Sequence, residues 1–283
     1  MFTLSAFADE ISPDPREQVA VLKLCNVRHI EFRSIHKTNV LALSDDQLRE
    51  FKKLLDGEGF GLSAIGSPIG KVALDLPFEP HLELFQRALD LADQFRCPRI
   101  RIFSYYPPAN IPFDGNWAPH RDEVLSRMRA KVELAAKRKI VLLHENEHNI
   151  YGEEPNRVKD LLSTVNSPFL RGAYDAANFV FGGFDPVEGW ELTKEFTTHF
   201  HIKDWKVPSP GEGHGTGVIA GTGDGRISHS IRDAVKRGYK GFATMEPHLR
   251  GGGPTGGVTG PDLFPYAVEA FRKILRDCGG VEG

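Results

Sequence analysis

Four residues have side chains that could together bind a metal ion: Glu145, Asp175, His201 and Glu246. Each lies at the end of a short apolar run with the length of a buried strand. If these runs are parallel strands, their carboxyl ends meet at one edge and the four side chains converge there. Three carboxylates in one place repel one another unless a cation lies between them. We therefore expect one divalent ion, with Mn²⁺ as first choice and Mg²⁺, Co²⁺ or Zn²⁺ as alternatives.

Each residue taken alone has a simpler interpretation. A carboxylate at a strand end often caps a helix, and a single histidine is usually structural. Four such residues at the ends of successive runs favour a joint site. Polar residues also end the earlier runs, and these are Glu31, Ser67 and Ser104.

Eight strand-like runs must position these side chains. The runs are Phe2–Ala8, His29–Arg33, Phe60–Ile65, Arg99–Phe103, Ile140–Leu143, Phe169–Tyr174, Thr198–Ile202 and Phe242–Met245. Eight βα units in 283 residues predict the α/β class and a single (β/α)8 TIM-barrel domain over residues 1–283. An open, doubly wound sheet is the alternative.

Helical patterns separate the runs. Ser44 and Gln47 have the spacing of a capping box, and Gly57 is the predicted end of the helix that follows. Apolar residues at helical spacing form another stripe, which consists of Val124, Met128, Val132 and Ala135. Two glycine-rich stretches, 206–226 and 247–261, follow the last two strands and are either simple loops or covers over a site.

The composition limits the kinds of binding partner and the cellular compartment that we expect for this protein. Hydrophobic residues make up 40% and charged residues 26%, with a net charge of −3, which argues against binding to nucleic acid. No run approaches the roughly 18 apolar residues of a membrane helix. The first eleven residues contain no Lys or Arg, and the three cysteines are far apart. These features indicate a cytoplasmic protein that acts on a small molecule.

Residues 144–148 match the zinc-peptidase pattern H-E-x-x-H. That motif works only on a helix, where residues four apart share a face. Here it follows an apolar, strand-like run and continues into a loop-like Asn-Ile-Tyr-Gly sequence. The context therefore disfavours a peptidase.

Several segments, spread over nearly the whole chain, resemble the sugar isomerase/epimerase superfamily with its xylose-isomerase-like barrel. They are Glu31-Phe32-Arg33, Ile65-Gly66-Ser67-Pro68, His144-Glu145-Asn146-Glu147, Tyr174-Asp175-Ala176-Ala177-Asn178-Phe179, His199-Phe200-His201-Ile202-Lys203-Asp204 and Met245-Glu246-Pro247-His248. No segment is specific by itself, but their order is that of the family. The resemblance implies that the four residues named first bind one divalent metal ion. It also implies that the two glutamates form an acid/base pair.

The substrate-contacting candidates are less specific than the metal ligands. They are Glu31, Ser67, Glu153, Asn178, Lys203 and His248. Asn178 occupies a position where some epimerases have histidine, so their substrate contacts do not transfer directly. The superfamily also contains the endonuclease IV nucleases, whose three-metal cluster needs more histidines than these positions supply. The resemblance to this superfamily also suggests a homodimer or a homotetramer.

The expected reaction is isomerisation or epimerisation of a ketose or keto-sugar, with or without a phosphate group. A metal ion that holds the carbonyl and a neighbouring hydroxyl acidifies the C–H between them and stabilises the ene-diolate. Glu145 and Glu246, three strands apart, could then transfer protons on two sides of the substrate. Two alternatives stay open: a lyase or dehydratase acting on a keto-sugar or keto-glycoside, and a barrel that binds sugar without catalysis.

Overall fold

The computed structural model of the protein describes residues 1–208, 215–253 and 256–283. Eight parallel strands form a closed barrel in chain order, and the last strand pairs with the first. The strands are β1 (Phe2–Ala6), β2 (His29–Phe32), β3 (Gly61–Ile65), β4 (Arg99–Ile102), β5 (Val141–Glu145), β6 (Leu170–Asp175), β7 (Thr197–Ile202) and β8 (Gly241–Met245). The predicted barrel is confirmed, and the open sheet is not formed.

At least one helix follows every strand. The helices are α1 (Pro15–Leu24), α2 (Asp45–Glu58), α3 (Phe78–Gln94), α4 (Arg121–Lys137), α5 (Pro155–Val165), α6 (Ala176–Phe181), α7 (Pro186–Thr193), α8 (Ile227–Lys236) and α9 (Phe264–Asp277). Among the described residues, no helix is both long and apolar enough to cross a membrane.

Short antiparallel strand pairs lie in the loops at the carboxyl ends of the barrel strands. Ser34–Ile35 pairs with Thr38–Asn39, and we call this the hairpin 34–39. Gly252–Gly253 pairs with Gly256–Gly257, and we call this the glycine ribbon. A third pair joins Asp204–Lys206 to Thr216–Val218. Parts of the two predicted glycine-rich stretches, 209–214 and 254–255, lie outside the described residues.

The start of α2 agrees with its sequence signal, but its end does not. The Ser44 side chain accepts from the backbone of Gln47, and the Gln47 side chain accepts from Ser44 in return. Gly57 is not the stop, because the helix continues to Glu58. It ends at Gly59, whose φ of 71° is left-handed, a conformation that glycine adopts without a steric penalty.

Alternation along β7 decides which side chains face the barrel interior. Phe200 lies on the outer side, where its ring centroid is 5.3 Å from that of Trp190 in α7. His199 and His201 lie on the inner side and contact Glu31, which comes from β2 across the barrel. The interior near the carboxyl ends of the strands is therefore polar and tightly hydrogen-bonded.

One buried side chain in the outer layer is a lysine. Lys131 lies on the inward face of α4 with 0% exposure, and its ammonium nitrogen is 4.5 Å from the ring centroid of Tyr105. Within the described structure, this nitrogen has no hydrogen-bond partner. Burial, with a smaller contribution from Arg127, lowers the pKa of Lys131 to about 7.

Candidate metal centre and active site

The four predicted metal ligands lie together at the carboxyl ends of their strands. Glu145 and Asp175 end β5 and β6, His201 lies in β7, and Glu246 directly follows β8. One potential ligand atom from each lies within 4.8 Å of the others. All four residues are at most 3% exposed. The barrel therefore brings together side chains that are up to 101 positions apart in the sequence, as 246 minus 145 gives.

The donor atoms of this cluster fit a divalent cation. Within the described residues, Asp175 Oδ2, His201 Nδ1 and Glu246 Oε2 are buried and make no hydrogen bond of good geometry. Ion-pair contacts join Asp175 Oδ2 to Lys203 Nζ at 2.9 Å and His201 Nδ1 to Glu145 Oε1 at 3.0 Å. Buried polar atoms whose hydrogen bonding is incomplete are uncommon and costly. Three carboxylates and one imidazole offer the oxygen-rich donor set that hard divalent ions prefer. The cluster can therefore hold a metal ion.

A second layer of side chains orients His201. Its Nε2 lies 3.2 Å from Glu31 Oε2, and the same oxygen contacts His199 Nε2 at 2.9 Å. Thr244 donates to that oxygen as well, at 2.9 Å. A carboxylate on the far nitrogen fixes the ring and directs the other nitrogen towards a metal. Glu31, predicted to contact substrate, thus lies beneath the cluster.

Three cations surround the cluster and partly balance its charge. Lys203 Nζ is 2.9 Å from Asp175 and 3.6 Å from Glu246. Arg33 donates to Glu246 Oε1 at 2.7 Å, and Arg101 donates to Glu145 Oε2 at 3.2 Å. Lys203 was among the predicted substrate contacts, whereas neither arginine was predicted to belong to the site. The signal for Arg101 was the alternation in β4, which places it on the inner face.

These neighbours set the protonation of the carboxylates. Burial by itself raises the pKa of Glu145, but His201 and Arg101 outweigh it and lower that pKa. Burial likewise raises the pKa of Glu246, and Lys203 with other cations outweighs it. Both glutamates are therefore ionised at neutral pH. Burial raises the pKa of Asp175 despite the contact with Lys203.

Phe7 supports both arginines. Its ring centroid lies 4.3 Å from Cζ of Arg33 and 4.9 Å from Cζ of Arg101. The edge of the His201 ring also meets it, at a centroid distance of 5.0 Å. A Cβ on Gly66 would lie 3.0 Å from the Phe7 ring, so glycine makes room for the ring there. Phe7 was not predicted from the sequence to be part of the site.

Asn178 and Ser67 take different positions relative to the cluster. Asn178 Nδ2 donates to Glu145 Oε1 at 3.2 Å and to the backbone oxygen of Asn146 at 2.9 Å. It therefore holds a ligand in place. Ser67 is fully buried, and its hydroxyl donates to the backbone oxygen of Arg101 at 2.6 Å.

His248 lies beside the cluster, whereas Glu153 lies away from it. His248 Nδ1 is 3.0 Å from Glu10 Oε1, and the His248 backbone N–H donates to the same carboxylate. Glu10 and His248 form a second potential donor group with Glu246. The carboxylate of Glu153 pairs instead with His148, which is partly exposed.

The peptidase motif is not helical. Its first two residues lie in β5, where His144 and Glu145 point to opposite sides of the barrel wall. His144 is fully buried, and a Cβ on Gly152 would lie 2.3 Å from its Cε1. The pattern at 144–148 therefore does not form the two-histidine helix face that a zinc peptidase needs.

The loop before α8 folds around Asp204. Its carboxylate accepts from the backbone N–H groups of Gly221, Gly223 and Gly225, at 2.8 to 2.9 Å. A Cβ on Gly223 would lie 2.4 Å from Asp204 Oδ1, so this glycine permits the close approach. Asp204 thus fixes the segment directly after Lys203.

Comparison with known proteins agrees with this architecture. A 3-dehydroshikimate dehydratase from Bacillus anthracis is 26% identical over 133 residues, which is 47% of this chain. The match spans less than half of that relative, 46% of its length. A magnesium complex of a xylose isomerase-like TIM-barrel protein from Mycobacterium smegmatis superposes with a TM-score of 0.72 at 19% identity, covering 98% of this chain and 96% of that one.

An L-ribulose 3-epimerase also superposes with a TM-score of 0.72, at 12% identity over 98% of this chain and 95% of that chain. At such identities these superpositions show the fold. The family model described as "Xylose isomerase-like TIM barrel" matches residues 19–275, which is most of the sequence. The proteins similar to this chain thus include an epimerase and a dehydratase. This chain belongs to the xylose isomerase-like TIM-barrel family.

Proposed function

We propose that this protein is a divalent-metal-dependent isomerase or epimerase of ketoses or keto-sugars. The observation that carries the proposal is the buried group of Glu145, Asp175, His201 and Glu246, whose potential ligand atoms lie within 4.8 Å of one another. These four residues would hold the ion. When bound, the ion supplies Lewis acidity, which polarises a keto group and acidifies the neighbouring C–H.

The two glutamates are suited to move the proton. Each has one carboxylate oxygen held by an arginine, Glu145 by Arg101 and Glu246 by Arg33. The other oxygen of each lies near His201 Nδ1, at 3.0 Å for Glu145 and 3.8 Å for Glu246, so both carboxylates are held in one orientation. Because both are ionised at neutral pH, either can accept a proton from a carbon next to the carbonyl.

Lys203 is placed to stabilise negative charge. Its ammonium group is 3% exposed and lies between Asp175 and Glu246. Loss of a proton from carbon leaves negative charge on the former carbonyl oxygen. A positioned ammonium group in a site closed to water stabilises that charge strongly.

Deuterium exchange tests the proposal directly. The protein with one equivalent of Mn²⁺ is incubated in D₂O with a panel of ketoses and keto-sugars, and mass spectrometry measures deuterium bound to carbon. We expect exchange with at least one compound, and a loss of about 100-fold or more in Glu145→Gln and Glu246→Gln. Glu133→Gln, an exposed carboxylate of α4, is the matched control. Bound metal without exchange in any compound would contradict the proposal.

Dehydration of a keto compound is the second candidate, which the match to a 3-dehydroshikimate dehydratase favours. The same proton removal would then be followed by departure of a neighbouring hydroxyl as water. The two reactions differ in mass balance. Isomerisation and epimerisation conserve the atoms of the substrate, whereas dehydration removes one water and produces a conjugated carbonyl with new ultraviolet absorbance.

A further inference from the structure

A cleft of about 400 Å³ lies next to the metal-ligand cluster. Its lining comes from three places: Asp9 and Arg33 after the first two strands, the hairpin 34–39, and residues 256–258 at the glycine ribbon. Arg33 lines the cleft and also contacts the metal-ligand cluster. Its Nε donates to Asp9 Oδ2 at 2.8 Å, and its Nη1 donates to Glu246 at 2.7 Å. One guanidinium group therefore separates the cleft from a metal ligand.

Carboxylates surround the guanidinium group of Arg33 in the cleft. Asp9 and Glu246 neutralise Arg33, and Glu10 lies 4.0 Å away on the same guanidinium. Ser34 also donates to Asp9 Oδ2 at 2.8 Å, while Asp9 Oδ1 has no hydrogen-bond partner among the described residues. A phosphate would face the carboxylate of Asp9, which lines the cleft beside Arg33. Neutral hydroxyl groups would instead find an acceptor in this carboxylate.

The hairpin forms one rigid wall of the cleft. His36 and Lys37 occupy its two-residue loop with φ values of 52° and 59°. Such loops require positive φ at both central positions and usually contain Asn-Gly. The conformation places the exposed Lys37 at the rim. Across the cleft, Gly256 and Gly257 contribute backbone, and Val258 contributes an exposed apolar side chain.

We propose that this cleft is an outer sugar subsite. It holds a neutral polyhydroxyl group attached to the reacting keto-sugar, such as a second sugar ring. The proposal rests on the proposed function, because the reacting ring lies at the metal-ligand cluster. Polar side chains and glycine backbone line this cleft, which is open to solvent and has a volume sufficient for one sugar ring. The subsite distinguishes glycosylated ketoses from free ketoses and from ketose phosphates.

A matched set of compounds tests the subsite. D-fructose, D-fructose 6-phosphate, isomaltulose and lactulose share the fructose unit and differ in what is attached to it. Isothermal titration calorimetry measures their binding to the metal-loaded protein, and deuterium exchange measures turnover. We expect at least one of the two disaccharides to bind about tenfold or more tightly than fructose, and the phosphate not to exceed fructose.

Variants in the two walls test whether the preference for a disaccharide arises in the cleft. Among the described residues, no atom lies within 4 Å of a Cβ built on Gly256, so Gly256→Ala is the control for Gly256→Trp, which fills the cleft. Lys37→Gly keeps the loop conformation and removes the ammonium group. We expect Gly256→Trp to abolish the disaccharide preference and Lys37→Gly to reduce it, with fructose binding unchanged in both.

The outcomes separate the two proposals. Equal binding of fructose and both disaccharides, or a preference that survives in Gly256→Trp, overturns the outer subsite. Tighter binding of the phosphate also overturns it. If metal is bound and no keto-sugar exchanges deuterium, the proposed reaction fails. The calorimetric comparison still decides the subsite in that case, because it requires no turnover.

Discussion

The buried Lys131 predicts an unusual dependence of stability on pH. An ordinary lysine in the unfolded chain has a pKa near 10.4, whereas in the fold burial lowers the pKa of Lys131 to about 7. Between these values the unfolded state carries nearly one proton more than the folded state. The free energy of unfolding therefore rises with pH in this range, by up to about 1.4 kcal/mol per pH unit. Below about pH 7 the two states bind the proton equally and the slope vanishes.

Burial lowers the pKa of Lys131, whereas contact with the Tyr105 ring acts in the opposite direction, and the two effects can be compared. The Tyr105 ring, 4.5 Å from the nitrogen, stabilises the charged form by about 0.5–2 kcal/mol. Lowering a lysine pKa by more than three units corresponds to about 4–5 kcal/mol, so burial is the larger effect. His81 and His144 are neutral near pH 7 and add no positive charge beside Lys131, because burial, followed by Lys131 itself, lowers their pKa values to about 3.

Chemical denaturation of wild type and Lys131→Met at several pH values measures the effect. We expect wild type to gain about 2 kcal/mol relative to Lys131→Met between pH 7.5 and pH 9. The variant is expected to be the more stable protein at pH 7.5, because methionine fills the site without an unpaired amine. Lys137→Met, an exposed lysine on the same helix, is the control and should follow wild type. Parallel curves for wild type and Lys131→Met would refute the reasoning.

Two further substitutions test the supports of the site. Glu31→Gln is expected to weaken metal binding about 10–100-fold, because Glu31 orients His201; competition with a chelator measures this, and an unchanged affinity would show that the second layer has no such role. Gly152→Ala is expected to destabilise the fold by about 1–3 kcal/mol, because its Cβ would lie 2.3 Å from His144. Denaturation midpoints check this, and a midpoint equal to that of wild type would contradict the clash.

The sequence predicted the convergence of the four side chains, because chain periodicity and residue type agreed there. Carboxylates and a histidine seldom end several successive strands unless they act together, and the barrel converges those ends. The position of Arg33 and Arg101 beside the cluster was harder to predict, because arginine is usually a surface residue. Arg33 and its partner Glu246 are also 213 positions apart. Nothing local in the sequence signals such a contact.

Two other features show the limits of local patterns. Position 131 falls on the helical face defined by Val124, Met128 and Ala135. Its burial was not predicted, because the residue is a lysine and lysine is seldom buried. Gly57 and Gly59 are both plausible helix ends by composition. The structure selects Gly59, because the chain must turn there to begin β3 two residues later.

Contact with Phe7 links the two glutamates that we propose transfer protons. Arg33 and Arg101 contact the same ring and hold Glu246 and Glu145 respectively. A substitution that moves the ring displaces both arginines together. Mutational effects on the two glutamates are therefore expected to be non-additive in this protein. In the proposed mechanism, a substitution at Phe7 would therefore affect both sides of the substrate, and Phe7 is the position where such epistasis would originate.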